Sequence, residues 1–379
     1  MSDTTALEKK IIERINRDGA MSFRDFMQLA LYDAELGYYN TERLKIGATG
    51  DYYTSSNVHP AFGAILAQVF VRLWKDLSSD NPENANSEYL ESDTASPLNL
   101  VEMGAGTGQL AFDVLSALRD EHAEGFARAN YTIIEQSPVM RARQQEKLND
   151  FSERVCWQTF AALKPTAGIF FSNELVDAMP VHRLRFTGET VEELYVIVVD
   201  ESHHQRLAVV WGALSKPQLV EYLKRSQAKF FQGQMIEVNL DAIHWLWEVS
   251  RVMEKGFLVT LDYGDLAPHL YSVERLEGTL RCFYRHTLRD NPLERIGEQD
   301  LTASVNFSAL IDYGKDFGFE QVSYERQTNF LFRNGLIERI AAMETGDTID
   351  DLQKRLAIKN LFVPGGVSDN FRVLVQRKP

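Results

Sequence analysis

The chain has 379 residues, of which 44% are apolar, 11% aromatic and 25% charged, a balance that builds a large buried core and argues against disorder as the main state. At about 150 residues per domain the length allows two to three units, or one elaborated domain. Lys and Arg number 40 against 54 Asp and Glu, and the formal net charge of −14 disfavours nucleic acid and anionic membranes as partners while leaving room for cationic substrates.

The opening stretch MSDTTALEKKIIERINRDG mixes acids with bases and has no apolar core, unlike a secretory signal or an acid-poor transit peptide. Helical spacing predicts helices over Leu7 to Arg17 and through Phe23, Phe26, Met27 and Leu31. A loop rich in Gly, Thr, Ser and Tyr follows from Tyr38 to Ser56, then a long amphipathic helix from about Pro60 to Leu77. The longest apolar stretch, Ala61 to Val71, falls short of the roughly 20 residues of a membrane span. Ser78 to Ser96 is polar, acidic and without periodicity, and reads as a surface excursion.

From there short apolar runs alternate with helices, the pattern of a parallel sheet with crossovers. The strand candidates are LNLVEM, YTIIEQ, AGIFFSNEL and GFLVTLDYG. Between the last two, VEELYVIVVDESHHQRLAVVWGAL reads as a β-hairpin with two helical segments after it. FEQVSYERQ and NFRVLVQRK are expected to form a terminal antiparallel pair, separated by a helical excursion from about Asn329 to Lys359. The expectation is an α/β fold with a helical cap over residues 1–56 and one catalytic domain over 57–379, carrying insertions at about 185–250, 265–305 and 328–369. Cys156 and Cys282 lie far apart with no ligand spacing, so no metal site is expected, and a cytoplasmic protein fits best.

The strongest chemical signal is NLVEMGAGTGQLAFDVL. A buried strand ends at Met103, and Gly104, Ala105, Gly106, Thr107 and Gly108 make a tight turn into a helix, the arrangement that lets a nucleotide approach the backbone. The other reading is a turn that only packs helix on strand. Gln109 stands where a dinucleotide fingerprint needs glycine, and the Gly-Lys-Ser/Thr of a phosphate loop is absent. Glu102 is awkward beside a diphosphate but suits a cation. S-adenosylmethionine carries a sulfonium, an ammonium and no phosphate, and its carboxylate can use the helix N-terminal amides. Glu135, followed by Gln136, ends the next strand 27 positions after Gly108, where a carboxylate accepts from the vicinal hydroxyls of a ribose.

SNELVDAMP follows the AGIFFS strand at the carboxyl edge of the sheet. Asn173, Glu174 and Asp177 could there clamp a guanidinium or take a proton from a hydroxyl; the alternative is a helix cap, with Asn173 as the capping residue. His182 and His286 are candidate bases or substrate contacts. His203 and His204 read as an exposed hairpin tip. In GDYYTSS, Gly50, Thr54 and Ser55 are placed to close over a cofactor. Tyr38, Tyr39, Tyr52 and Tyr53 offer faces for a cation, or else pack the N-terminal helices. Asp262, Tyr263 and Gly264 end a further strand beside the expected substrate mouth.

GDYYTSS, VEMGAGTGQL, FFSNELVDAMPVHR, VTLDYG, GTLRCFYRH and EQDLTASVNFSAL occur in one order between about Met21 and Val322. In this the chain resembles the MidA family of class I S-adenosylmethionine-dependent methyltransferases, and SNELVDAMPVH and GTLRCFYRH are the most specific parts. The resemblance implies a Rossmann-like seven-stranded methyltransferase sheet. In the mitochondrial relatives, which assist assembly of respiratory complex I, it implies symmetric dimethylation of a protein arginine. Motifs and resemblance together assign the cofactor to Gly50, Thr54, Ser55, Glu102, Gly104, Ala105, Gly106, Gly108, Glu135, Gln136 and Asn173. They assign the acceptor to Asn173, Glu174, Asp177, His182 and His286. Two departures stand out: Ala105 and Thr107 occupy the Pro and Arg places of a GPGRG-like turn, and Ser56 and Asn57 replace a Pro-Glu continuation, where substrate is expected to enter. The rival readings are O- or N-methylation of a small metabolite, and an assembly factor that binds the cofactor without turnover. A homodimer is allowed by all three.

Overall fold

The computed structural model describes residues 5–41, 59–79, 96–201, 204–285, 287–342, 358 and 370–379. The chain divides into two compact units, each discontinuous in sequence. One comprises Met1–Tyr52, Val176–Leu246 and Gly264–Gly314; the other comprises Tyr53–Leu175, Trp247–Tyr263 and Lys315–Pro379.

The second unit is built on a central sheet. Its strands, in chain order, are β1 Leu98–Met103, β2 Ala129–Ile134, β3 Val155–Gln158, β4 Thr166–Asn173, β5 Met253–Asp265, β6 Glu320–Arg326 and β7 Phe371–Lys378. They lie in the order β6-β7-β5-β4-β1-β2-β3. Strands β1 to β5 run parallel, and β7 is inserted antiparallel between β5 and β6. Seven strands in this order make the expected methyltransferase sheet, and the terminal antiparallel pair is present in it; off this path the two-residue strand Val305–Asn306 pairs with Gly264 and Asp265. The inner strands β1, β2, β4 and β5 are largely apolar and buried, as expected of a sheet covered on both faces. Phe70 and Phe171 meet with ring centroids 4.6 Å apart, and Tyr131, Leu115 and Val114 join the same core. The helices Ala61–Ser79 and Gln109–Glu121 cross closely: a Cβ on Gly63 would lie 2.5 Å from the Cβ of Asp113. Strand β3 was not among the strand candidates. It is a four-residue edge strand with one neighbour, so its sequence VCWQ carries no apolar run.

Chain order reverses between β1 and β4, the switch point of an open α/β sheet where ligands bind beyond the carboxyl ends. Met103 pairs with Ser172, so Gly104 and Asn173 leave the sheet side by side.

In the first unit the helices Ala6–Asp18 and Phe23–Tyr32 are capped by Thr5 and Ser22, whose hydroxyls accept from Glu8 N and Asp25 N. Their apolar faces share one core with Val181, Val196, Cys282, Leu301 and Ala303, so residues read as a cap are packed against the inserted segments. Strand Val191–Glu201 forms the expected hairpin with His204–Gly212 and also pairs with Met21–Ser22 and His182–Phe186. The GTLRCFY motif is tied down by a buried carboxylate. Thr279 N and Oγ1 donate to Glu237 Oε2 at 2.7 and 3.0 Å, and Arg183 Nε donates to Oε1 at 3.1 Å.

Candidate active site

The turn after β1 has the backbone its glycines foreshadow. Gly104, Gly106 and Gly108 have φ of 72°, 53° and 81°, the left-handed region where a Cβ is costly. Gly104 N donates to Ile134 O at 3.0 Å, fastening the turn to the end of β2, and Gly108 N donates back to Ala105 O at 2.8 Å. The helix that follows, Gln109–Glu121, has no side chain capping its N-terminus, which leaves first-turn amides for an anionic group such as a carboxylate. Ala105 is buried, and Gly106 and Thr107 are half-buried.

Behind the turn Glu102 is 2% exposed. Burial pushes its carboxyl up to about 7, against the pull of the Tyr131 hydroxyl, which donates to Oε2 at 2.7 Å; Glu135 nearby pushes in the same direction as burial. The folded carboxyl thus holds its proton to higher pH than the unfolded one, whose value is 4.5, so stability falls as pH rises between the two. Glu102→Gln keeps an acceptor for Tyr131. It is expected to match wild type below that window and to exceed it above, by on the order of 3 kcal/mol. Urea denaturation at about pH 4 and about pH 8.5 measures this; the same midpoint difference at both would contradict it.

Glu135 lies beyond the end of β2, half-buried, with burial raising its carboxyl and three donors, Ser137 N, the Gln144 amide and Gln136 N, opposing that rise. Ser137 N donates to Oε1 at 2.8 Å, and Gln144 Nε2 donates to Oε2 at 2.9 Å. Three donors leave this carboxylate with acceptor capacity for a ribose hydroxyl. Gln136 is exposed. Gln144 was missed by sequence reasoning. It is a helical residue ten positions past β2, and nothing local marks it as facing the glycine turn.

At the end of β4, Glu174 has φ of 52°, unusual for a residue other than glycine, and its N–H donates to Leu261 O of β5 at 3.0 Å. Asn173 Nδ2 donates to Glu174 Oε1 at 3.1 Å, and Asn173 Oδ1 is buried with no protein partner. No helix starts here: the next regular element is the strand His182–Phe186, which removes the helix-cap alternative for Asn173 and Glu174. Asp177 lies in the first unit, 5% exposed, in a loop pinned through three successive carbonyls. Asn239 Nδ2 donates to Val176 O, Ala303 N to Asp177 O and the Tyr32 hydroxyl to Ala178 O, at 3.0, 2.9 and 3.0 Å.

His182, also in the first unit, is fully buried. Its Nδ1 lies 2.7 Å from Glu193 Oε1, an interior pair in place of the acceptor contact expected of it. Tyr38 is buried and Tyr39 stacks on Tyr32 while donating to Asp300, which is the packing role weighed for them. Gly50, Thr54, Ser55, Tyr52, Tyr53, His203 and His286 lie outside the described residues. The residues that can hold a nucleoside cofactor, Glu102, Gly104 to Gly108, Glu135 and Asn173, all belong to the second unit. A left-handed glycine cradle, uncapped amides and a diol-reading carboxylate, with no lysine of a phosphate loop, fit a sulfonium nucleoside.

Comparison with known proteins agrees. A family model described as "Putative S-adenosyl-L-methionine-dependent methyltransferase" matches residues 65–324. The mitochondrial protein arginine methyltransferase NDUFAF7 homolog of Drosophila melanogaster is 25% identical over 329 residues, covering 80% of this chain and 69% of its own. The mitochondrial protein arginine methyltransferase NDUFAF7 of Rattus norvegicus is 25% identical over 330 residues, covering 81% and 69%. A Burkholderia thailandensis protein crystallised with S-adenosyl-homocysteine superposes with a TM-score of 0.85 at 27% identity, over 98% of this chain and 92% of that one. With the match spanning more than half its length and the sheet order of the class, the chain belongs to this family of S-adenosylmethionine-dependent methyltransferases, the MidA family whose motifs it carries.

Proposed function

We propose that the chain transfers a methyl group from S-adenosylmethionine to the guanidinium of an arginine in a protein partner. The observation that carries this reading is the side-by-side exit of Gly104 and Asn173 from β1 and β4, which sets a nucleoside cradle beside an amide–carboxylate pair. The cofactor supplies an electrophilic methyl on a cationic sulfur. Glu135 would receive the ribose hydroxyls, and the turn and the first amides of Gln109–Glu121 would receive the carboxylate. Glu174 accepts hydrogen bonds from the guanidinium, localises its positive charge away from the attacking nitrogen, and takes up the proton released there. Holding that nitrogen in line with the methyl would supply most of the acceleration. The names of the relatives as protein arginine methyltransferases support this acceptor over a small metabolite.

The experiment is incubation of the full chain with methyl-labelled S-adenosylmethionine and a cell extract, followed by mass spectrometry. Label in arginine side chains is the expected outcome. Label confined to small molecules would overturn the acceptor, and failure to bind the cofactor by calorimetry would overturn the reaction.

A further inference from the structure

We propose that Gln144 is the positioning residue for the cofactor's ribose, an inference that rests on the methyltransferase reading: its amide fixes both the carboxylate that reads the diol and the glycine turn beside it. Gln144 is 0% exposed, on the helix Pro138–Lys147, whose sequence PVMRARQQEK is otherwise largely polar. A buried primary amide must satisfy two N–H groups and an oxygen, and this one does so with three partners from three segments. Nε2 donates to Gly106 O at 2.8 Å and to Glu135 Oε2 at 2.9 Å, while Oε1 accepts from Trp157 Nε1 at 2.9 Å. An indole N–H can only donate, so Trp157 decides which end of the amide is oxygen. A flipped amide would set donor against donor at Trp157 and acceptor against acceptor at Glu135.

The consequence is that one side chain couples the two halves of the cofactor cradle. Glu135 Oε1 is held by Ser137 N at 2.8 Å and Oε2 by Gln144, and with both oxygens anchored the carboxylate can turn only one edge outward. The Gly106 carbonyl is held by the same NH₂ group. The helix also presses on the turn, since a Cβ on Gly108 would lie 3.3 Å from Gln144 Cα. Recognition of the ribose hydroxyls therefore passes through Gln144, although Gln144 need not touch the nucleoside.

The test is calorimetry on the full chain with S-adenosyl-homocysteine and its 2′-deoxy analogue. Wild type is expected to prefer the ribo compound by about tenfold or more. In Gln144→Leu the affinity for the ribo compound falls about 10- to 100-fold and the affinity for the deoxy compound falls much less, so the preference collapses. Gln144→Glu sets two carboxylates against each other, and its affinity should recover as pH is lowered and one of them gains a proton to share. A merely structural role would not move either readout. A folded Gln144→Leu that keeps the wild-type preference overturns the proposal. If that variant does not fold, Trp157→Phe removes only the indole donor and should lower the preference partway; an unchanged preference there overturns it equally. Wild type that bound neither nucleoside would instead overturn the methyltransferase reading beneath it.

Discussion

Exchanging Glu174 for glutamine is expected to cut methyl transfer by about a hundredfold to ten-thousandfold while cofactor affinity stays within about twofold. The side chain keeps its size, so the left-handed backbone at φ 52° and the N–H bond to Leu261 O are retained. What disappears is the charge proposed to receive a guanidinium and its proton. A non-glycine residue held in this region costs about 1–3 kcal/mol and persists where the surroundings impose it, commonly at functional sites. Here the N–H bond to Leu261 O of β5 pins that backbone, and Asn173 Nδ2 donates to the carboxylate at 3.1 Å. Single-turnover rates with pre-bound cofactor separate chemistry from binding. Full methyl transfer in Glu174→Gln would remove this carboxylate from the chemistry.

The largest loss of stability is expected from Glu193→Ala, about 3–5 kcal/mol by thermal or chemical unfolding. Glu193 is 0% exposed and serves three donors: His182 Nδ1 at 2.7 Å, Ser215 N at 2.6 Å and Ser215 Oγ at 3.0 Å. Burial acts to raise its carboxyl, and the His182 and Ser215 hydrogen bonds outweigh that, so the net displacement is downward from 4.5. For a carboxyl lowered on folding, the stabilisation is present above the unfolded value and is lost as pH falls through the folded one. The destabilisation of Glu193→Ala should therefore be full at neutral pH and shrink in acid. A loss below about 1 kcal/mol at neutral pH would show the pair to be dispensable.

The glycine turn and the strand end at Glu135 were legible because their chemistry is local: three glycines within five residues demand an unusual backbone, and an acid at a strand end needs only its own strand to be placed. LNLVEM coincides with β1, and both the hairpin and the terminal pair follow from alternation and turn residues alone. His182 was legible as a histidine but not as an interior one, since the carboxylate that buries it arrives 11 residues later across a strand pairing. Gln144 was silent for the same reason, as its partners come from a turn, a strand end and an edge strand. The apolar faces of the N-terminal helices were plain, but periodicity does not say which distant segment covers them.

That covering has a cost in time. Thr5 Oγ1 donates to Ile296 O, and the core around Phe23 and Phe26 includes Leu301 and Ala303. On a ribosome adding about 5–20 residues per second, the first helices wait many seconds for partners encoded nearly three hundred codons later. The sheet of the second unit waits longer, because the strand that separates β5 from β6 is Phe371–Lys378. A nascent chain of this protein thus exposes apolar helix faces until the segment around Leu301 and Ala303 has been made, and an unfilled strand slot until Phe371–Lys378 has followed.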